Sequence, residues 1–116
     1  LICTSACLAG EINQYAAQND YEGAKKAALE YMEIFPGRFY LEMQNHNLPE
    51  ELATHSIIKK LSTELEIPLV ATNDCHYALK EHWEAHDVLF CLGTDKNRDD
   101  PNRIRYEPKQ FYIKWD

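Results

Sequence analysis

Apolar positions follow two alternating rhythms along the chain, one of period two and one near 3.6. Residues 1 to 6 open with Leu1 and Ile2 followed by small residues, which predicts a short strand. Residues 11 to 18 suit a short helix. Asn19, with Glu22 three residues on, resembles a capping signal. Behind it Tyr21, Ala24, Ala28, Tyr31, Met32 and Phe35 recur every three or four residues, with Lys25, Lys26, Glu30 and Glu33 between them. This is a helix with one core-facing stripe, stopped by Pro36-Gly37. From Arg38 to Met43 the period shortens: Phe39, Leu41 and Met43 alternate with Tyr40 and Glu42, as in a strand. Pro49 suits the first turn of a helix reaching about Leu65, with Leu52, Ile57, Leu61 and Leu65 forming much of its apolar face. Ile67-Pro68-Leu69-Val70-Ala71 is a continuous apolar run, the pattern of a strand buried on both faces of a parallel sheet. Glu81 to Leu92 returns to helical spacing through Ala85, Val88, Leu89 and Leu92, and Gly93 is placed as a C-cap. The stretch 99–103 marks a turn, and Phe111-Tyr112-Ile113 a last short strand.

Strands alternating with helices predict an α/β fold of parallel strands joined by right-handed crossovers. The 116 residues are enough for one small domain, and 45% hydrophobic with 27% charged residues is a globular composition. No apolar run approaches the ~20 residues of a membrane span. The first residues, Leu1 to Cys7, carry neither a basic leader nor an initiator Met and do not read as a signal peptide; the expectation is a fragment entered in mid-strand. A net charge of −7 argues against a surface that tracks nucleic acid by neutralising phosphates. The four cysteines, Cys3, Cys7, Cys75 and Cys91, form no Cys-x-x-Cys pair and are too few for a disulfide scaffold, so reduced cytosolic thiols are expected. No phosphate-cradling glycine loop and no serine nucleophile elbow occurs.

The candidate chemistry collects just after strands. In a parallel sheet, functional groups sit beyond the carboxyl ends of the strands. Asp74 and His76 are two apart; on an extended backbone they project to the same side, with Cys75 facing away. A carboxylate and an imidazole so placed are half of a zinc or manganese site. The competing reading is an Asx turn at Asn73-Asp74 followed by a histidine packed on Tyr77. Cys7 is either a small buried hydrophobe or a further ligand at a strand end. Gly10 allows a turn that a Cβ would resist. His46 lies in a strand-to-helix loop, either solvated or bonded to backbone, and His55 lies on a helix surface. His82 and His86 are four apart but lack the zincin context, and their spacing is read as accidental.

Several of these stretches resemble one family. Thr72-Asn73-Asp74-Cys75-His76-Tyr77 resembles the last metal motif of the PHP (polymerase and histidinol phosphatase) domain, in the form carried by the alpha subunit of bacterial DNA polymerase III, the C-family replicase. Ser5-Ala6-Cys7-Leu8-Ala9-Gly10-Glu11 resembles that family's Ser-Gly-Cys-Leu-x-Gly-Glu. Arg38-Phe39-Tyr40-Leu41-Glu42, His46 and Leu48-Pro49-Glu50 are similar to its middle section, and 84–89 and 100–103 to the stretch beyond the metal motif. The similarity runs in order through nearly the whole chain. The sequence departs at Ala6, where the family favours Gly, and at Asn45 and Asn47, where Asp and Gly are usual.

The resemblance implies that residues 1–116 are the C-terminal part of a PHP domain, a partial (βα)7 barrel with metals at the C-terminal strand ends. It places Cys7, Asp74 and His76 on metal-ligand positions, for zinc or manganese, with no catalytic residue beyond these ligands. The implied activity is metal-dependent phosphoester hydrolysis, trimming 3′ ends in the polymerase setting, with magnesium serving the parent polymerase's own chemistry. Implied partners, through the parent, are primer-template DNA, a proofreading exonuclease and a sliding clamp, in the cytoplasm and without a membrane. The isolated fragment is expected to hold metal weakly or not at all. Alternatives are a free-standing PHP phosphoesterase and a non-catalytic docking module. Sheet edges cut from a barrel are expected to be exposed, with self-association or a tail packed against an edge.

Overall fold

A computed structural model describes residues 1–114. Where the length suggests one small domain, the chain folds as two compact units, Leu1–Thr72 and Asn73–Asp116.

The first unit carries a three-stranded parallel sheet: β1 (Cys3–Thr4), β2 (Phe39–Met43) and β3 (Leu69–Ala71), in spatial order β1-β2-β3. Cys3 lies opposite Phe39, and Leu41 opposite Leu69. Helices α1 (Glu11–Ala17) and α2 (Tyr21–Ile34) separate β1 from β2, and α3 (Pro49–Leu65) separates β2 from β3. Parallel neighbours need such crossovers because a tight turn reverses the chain. The central strand is the floor of the core. Phe39 and Leu41 are buried against Ile12 and Ala16 of α1, Ala24, Ala27 and Ala28 of α2, and Ile57, Ile58 and Leu61 of α3. Tyr31 stacks on Phe39 with ring centroids 5.3 Å apart. The alanines of α2 let α1 and α2 pack closely, which larger side chains would prevent.

Several expectations shift in detail. Asp20, not Asn19, caps α2, accepting a 2.9 Å bond from the Gly23 amide, while Asn19 takes the left-handed turn before it (φ 57°). On α3 the buried stripe is Thr54, Ile57, Ile58 and Leu61, with Glu51 also buried; Leu52 is 53% exposed, because it lies off that i, i+3, i+4, i+7 row. β3 is not buried on both faces: it lies at the sheet's edge among the described residues, and Leu69 is 44% exposed, whereas Ile67 just before it is buried. The apolar run therefore marks one edge strand and its approach.

The left-handed positions account for the glycines of the family pattern rather than for the departure at Ala6. Ala6 has φ 60° and Asn47 φ 63°, and both replace a residue that the resemblance expects to be Gly. Asn tolerates this region, whereas Ala pays the Cβ–carbonyl clash in full. Asn45 keeps the role expected of Asp, its Oδ1 accepting from the Asn47 amide at 3.0 Å. Gly10 is needed for another reason: its φ is ordinary at −66°, but a Cβ there would lie 2.2 Å from the Ser5 carbonyl oxygen.

The second unit is built on α4 (Trp83–Gly93), preceded by one 3-10 turn, Lys80–His82. Its packing face is not the expected one. Val88, Leu89 and Leu92 are exposed, while His86, Phe90 and the buried Cys91 face inward. An aromatic cluster selects that face: His86 and Phe90 meet Tyr106, which meets Phe111 edge-on at 5.0 Å. Asp87 on the same side takes a two-pronged bond from Arg103 at 2.6 and 2.8 Å. Gly93 is the last helical residue rather than the cap; Thr94 caps, its hydroxyl donating to the Phe90 carbonyl at 2.8 Å. Residues 111–113 make a single parallel bridge, Tyr77 to Tyr112, instead of a strand.

Ala6→Gly is expected to stabilise the chain by about 0.5–1 kcal/mol, relief of the left-handed clash exceeding glycine's entropy. Gly10→Ala is expected to cost about 1–3 kcal/mol, because backbone must move. Urea midpoints of the two variants check both signs. A pH series addresses Asp87. Arg103 bonding holds its carboxyl below the ordinary value, outweighing the opposing effect of burial. A depressed folded value means the contribution is full above the unfolded carboxyl's ~3.9 and is lost as pH falls through the folded value. The stability gap between wild type and Asp87→Asn should therefore be present at neutral pH and close in acid. A gap that stays constant with pH would contradict this assignment.

Candidate functional site

The carboxyl ends of the three strands are tied by one acid. Glu42, near the end of β2, accepts from the Thr4 hydroxyl at 2.6 Å, from the Gln44 amide at 2.9 Å and from the Thr72 hydroxyl. Thr4 ends β1 and Thr72 follows β3, so one carboxylate on the central strand holds both neighbours. Partial burial pushes its pKa up, but the bonds from Thr4, Thr72 and Gln44 prevail and hold it below the ordinary value. The Ser5 hydroxyl adds a 2.8 Å acceptor for the Glu42 amide. This network had no signal in the sequence, since Glu42 read only as the polar phase of an alternating strand.

Cys7 lies beyond β1, in the turn leading to α1. Gly10 donates to its carbonyl at 2.8 Å, and the buried Asn13 amide bonds the carbonyls of Ala6 and Cys7 at 3.3 and 3.1 Å. The backbone is thereby fixed from two sides. The Cys7 thiol itself is half-buried and, among the described residues, makes no hydrogen bond.

Asp74 and His76 lie in the second unit, after the end of β3. They do not follow the extended geometry expected of them: Asp74 has φ 43°, so the two-residue alternation of a strand does not apply. Cys75 is bonded through Sγ to the Tyr112 carbonyl at 3.3 Å. Asn73 bonds the Gln110 carbonyl at 3.2 Å and the Tyr112 carbonyl at 2.5 Å, anchoring the motif. His76 is exposed yet bordered by rings, with Tyr106 at 4.8 Å, Phe111 at 5.1 Å and His86 at 5.5 Å, rather than by Tyr77. Among the described residues the Asp74 carboxylate has neither a hydrogen bond nor an ion pair.

The histidines divide by how their ring nitrogens are engaged. His46 is fully buried, contrary to a solvated loop residue. Its Nδ1 meets the Glu51 carboxylate at 2.5 Å, and the same carboxylate accepts from its amide at 2.6 Å. Glu51 stands in the first turn of α3, where a carboxylate also suits the helix dipole. The pair locks the β2-to-α3 loop and was missed in the sequence, where His46 read as solvated or bonded to backbone and Glu51 was not singled out. His55 is half-buried and bonds the Gln44 carbonyl at 2.9 Å through Nε2. His82 takes a 3.4 Å bond from the Leu79 amide, and His86 belongs to the ring cluster, so the i, i+4 pair has two separate local roles. His76 has ring contacts but no ring-nitrogen hydrogen bond among the described residues. Cys7, Asp74 and His76 thus keep uncommitted S, O and N donors, a set whose chemistry fits zinc or a similar ion. Within neither unit do three His, Cys, Asp or Glu side chains gather into a metal-holding group among the described residues.

Comparison with known proteins identifies the lineage. Residues 1–46 match the PHP domain. The chain is 41% identical to DNA polymerase III subunit alpha of Campylobacter jejuni, 42% to that of Treponema pallidum and 40% to that of Borreliella burgdorferi, in each case over 98% of this chain. It spans about a tenth of the length of these curated relatives. Mixed α/β content, a parallel sheet and this similarity agree: the chain belongs, as a PHP-domain segment, to the DNA polymerase III alpha subunit family.

Proposed function

We propose that this chain is the C-terminal part of the PHP domain of a replicative DNA polymerase III alpha subunit, and that Cys7, Asp74 and His76 are its share of a metal-dependent phosphoesterase site. The observation that supports the reading most is that these three donors, which sit on the family's ligand positions, are left uncommitted, while His46, His55 and Cys75 are bonded within the protein. The parent domain is a (βα)7 barrel in this reading, with the sheet of β1 to β3 as one sector of its wall.

When bound, divalent ions supply Lewis-acid polarisation of a phosphodiester and acidify water. Asp74 offers an anionic oxygen that offsets metal charge. His76 offers a neutral ring nitrogen, its ring oriented by Tyr106 and Phe111. Cys7 offers a thiolate, which favours a softer ion such as zinc over manganese at its position. Glu42, already satisfied by Thr4, Thr72 and Gln44, is a positioning residue for the strand ends.

Hydrolysis at this site would trim 3′ ends in the cytoplasm, alongside DNA synthesis that depends on magnesium and on palm carboxylates outside these 116 residues. Primer-template DNA, a proofreading exonuclease and a sliding clamp are the partners of the parent in this reading. A second reading, a docking module for a protein partner, is favoured by the exposed Val88, Leu89 and Leu92 on α4. Among the described residues no helix is long and apolar enough to cross a membrane.

In the intact subunit, Asp74→Ala and His76→Ala are each expected to weaken metal retention by at least ~10-fold, the loss typical of disturbing even a supporting partner of a metal ligand. Exonuclease activity should fall in parallel, with His55→Ala as the control that leaves both unchanged. Elemental analysis beside a labelled-primer assay reads the outcome; unchanged metal in both variants would sink the site. The 116-residue chain alone should incorporate no nucleotide on a primed template. Incorporation above a mock preparation would show that the catalytic carboxylates have been misplaced.

A further inference from the structure

The second unit contains a cavity of about 500 Å³ between α4 and the segment that follows it, lined by residues between Tyr77 and Lys109 that include none of the three proposed metal ligands. That volume is in the range of small-molecule sites. Its walls combine two chemistries. Trp83, Phe90 and Tyr106 supply aromatic surface, with Phe90 and Tyr106 fixed edge-on at 5.3 Å. Four of its charged lining groups are cationic and three are anionic, in a chain whose net charge is −7.

The cations differ in what they already hold. Arg98 and Arg103 are paired with Asp87, which makes them part of the wall. Arg105 and Lys109 are in no salt bridge among the described residues. Arg105 donates through Nη2 to two carbonyls, of Arg98 at 3.0 Å and Asp100 at 3.2 Å, which hold the guanidinium without neutralising it. The Lys109 ammonium lies over the Trp83 ring, 3.6 Å from its centroid. That cation–π contact is exposed and exchangeable. Moving the ammonium onto a phosphate would uncover the indole face for a planar ring.

A third observation points to a ligand. The Tyr77 hydroxyl, in the wall of the same cavity, is buried and finds no acceptor for its O–H among the described residues. A tyrosine hydroxyl carries an O–H donor that needs an acceptor when it is removed from water. A buried donor without a partner is rare in folded proteins. A polar group on a bound ring or sugar would satisfy it.

We propose that this cavity binds a mononucleotide-type ligand, an aromatic base stacked on Trp83 with its phosphate held by Arg105 and Lys109. Free nucleotides and single-stranded nucleic acid present the same chemistry, since stacking beside a cationic track suits either. His76 borders two of the cavity's walls, Tyr106 and His86, but makes none of the proposed contacts to the ligand, so failure of the nucleotide site would leave the metal assignment intact.

The test is a titration of the full 116-residue, isotope-labelled chain, followed by NMR at the Trp83 indole and the Lys109 amide. The probes are dAMP, adenosine, ribose 5-phosphate, inorganic phosphate and a four-nucleotide oligothymidylate. Saturable shifts with dAMP are expected, with adenosine and ribose 5-phosphate each about tenfold weaker, the loss of one stack or one charge cluster. Binding of the oligonucleotide more tightly than dAMP assigns the source to single strands, and the reverse to free nucleotide. Arg105→Gln and Lys109→Gln, both at exposed positions, should each weaken binding about fivefold without changing the circular dichroism. Inorganic phosphate binding as tightly as dAMP would overturn the proposal, as would unchanged affinity in both variants. Absence of shifts with both dAMP and the oligonucleotide would do the same.

Discussion

Everything in the first unit depends on β2 being paired on both sides. Its backbone joins β1 and β3, its Phe39 and Leu41 carry the three helices, and its Glu42 ties the strand ends on the other face. Alternation makes this division of labour possible, since adjacent residues of one strand address opposite faces. A five-residue strand thus supplies both the apolar floor and the polar clasp. Loss of pairing on either side would expose Leu41 and release the turns that Thr4 and Thr72 hold in place.

The turns after the strands are constrained by different means. Cys7 is placed by Asn13 and by a glycine that admits the Ser5 carbonyl. The β2-to-α3 loop is closed by a buried histidine–glutamate pair, whose desolvation is offset by two bonds from one residue to one carboxylate. Asn73 anchors the Asp74–His76 motif through carbonyls of Gln110 and Tyr112. At Cys7 and at the Asp74–His76 motif the backbone is fixed by neighbours, while the candidate ligands' own side-chain polar atoms make no hydrogen bond among the described residues. A purely structural residue at these positions would be expected to spend its polar atoms locally, as His46, His55 and Cys75 do.

Fold class was legible because it rests on local periodicity. The stripe of α2 and the alternation of β2 depend only on helix and strand geometry, and both match the observed burial. Pro49 and Pro36-Gly37 bounded helices through their own backbone chemistry. The Asp-x-His motif was legible as composition, and its family resemblance as order and spacing. Its geometry was not, because Asp74 leaves the extended region that the spacing argument assumed.

What the sequence determined by itself was therefore the order of elements, the parallel class of the sheet and the lineage of its motifs. Only the tertiary structure decided which of two apolar faces α4 buries, because Ala85, Val88, Leu89 and Leu92 have the same period as the true packing row. The choice went to the face where His86 and Phe90 find the rings of Tyr106 and Phe111, and Asp87 finds Arg103. It likewise decided the burial of His46, whose partner lies across a loop, and the edge position of β3, where the apolar run meets solvent. These outcomes depend on side-chain contacts made across loops, five residues apart for His46 and Glu51 and sixteen for Asp87 and Arg103, and period and propensity carry no record of such contacts.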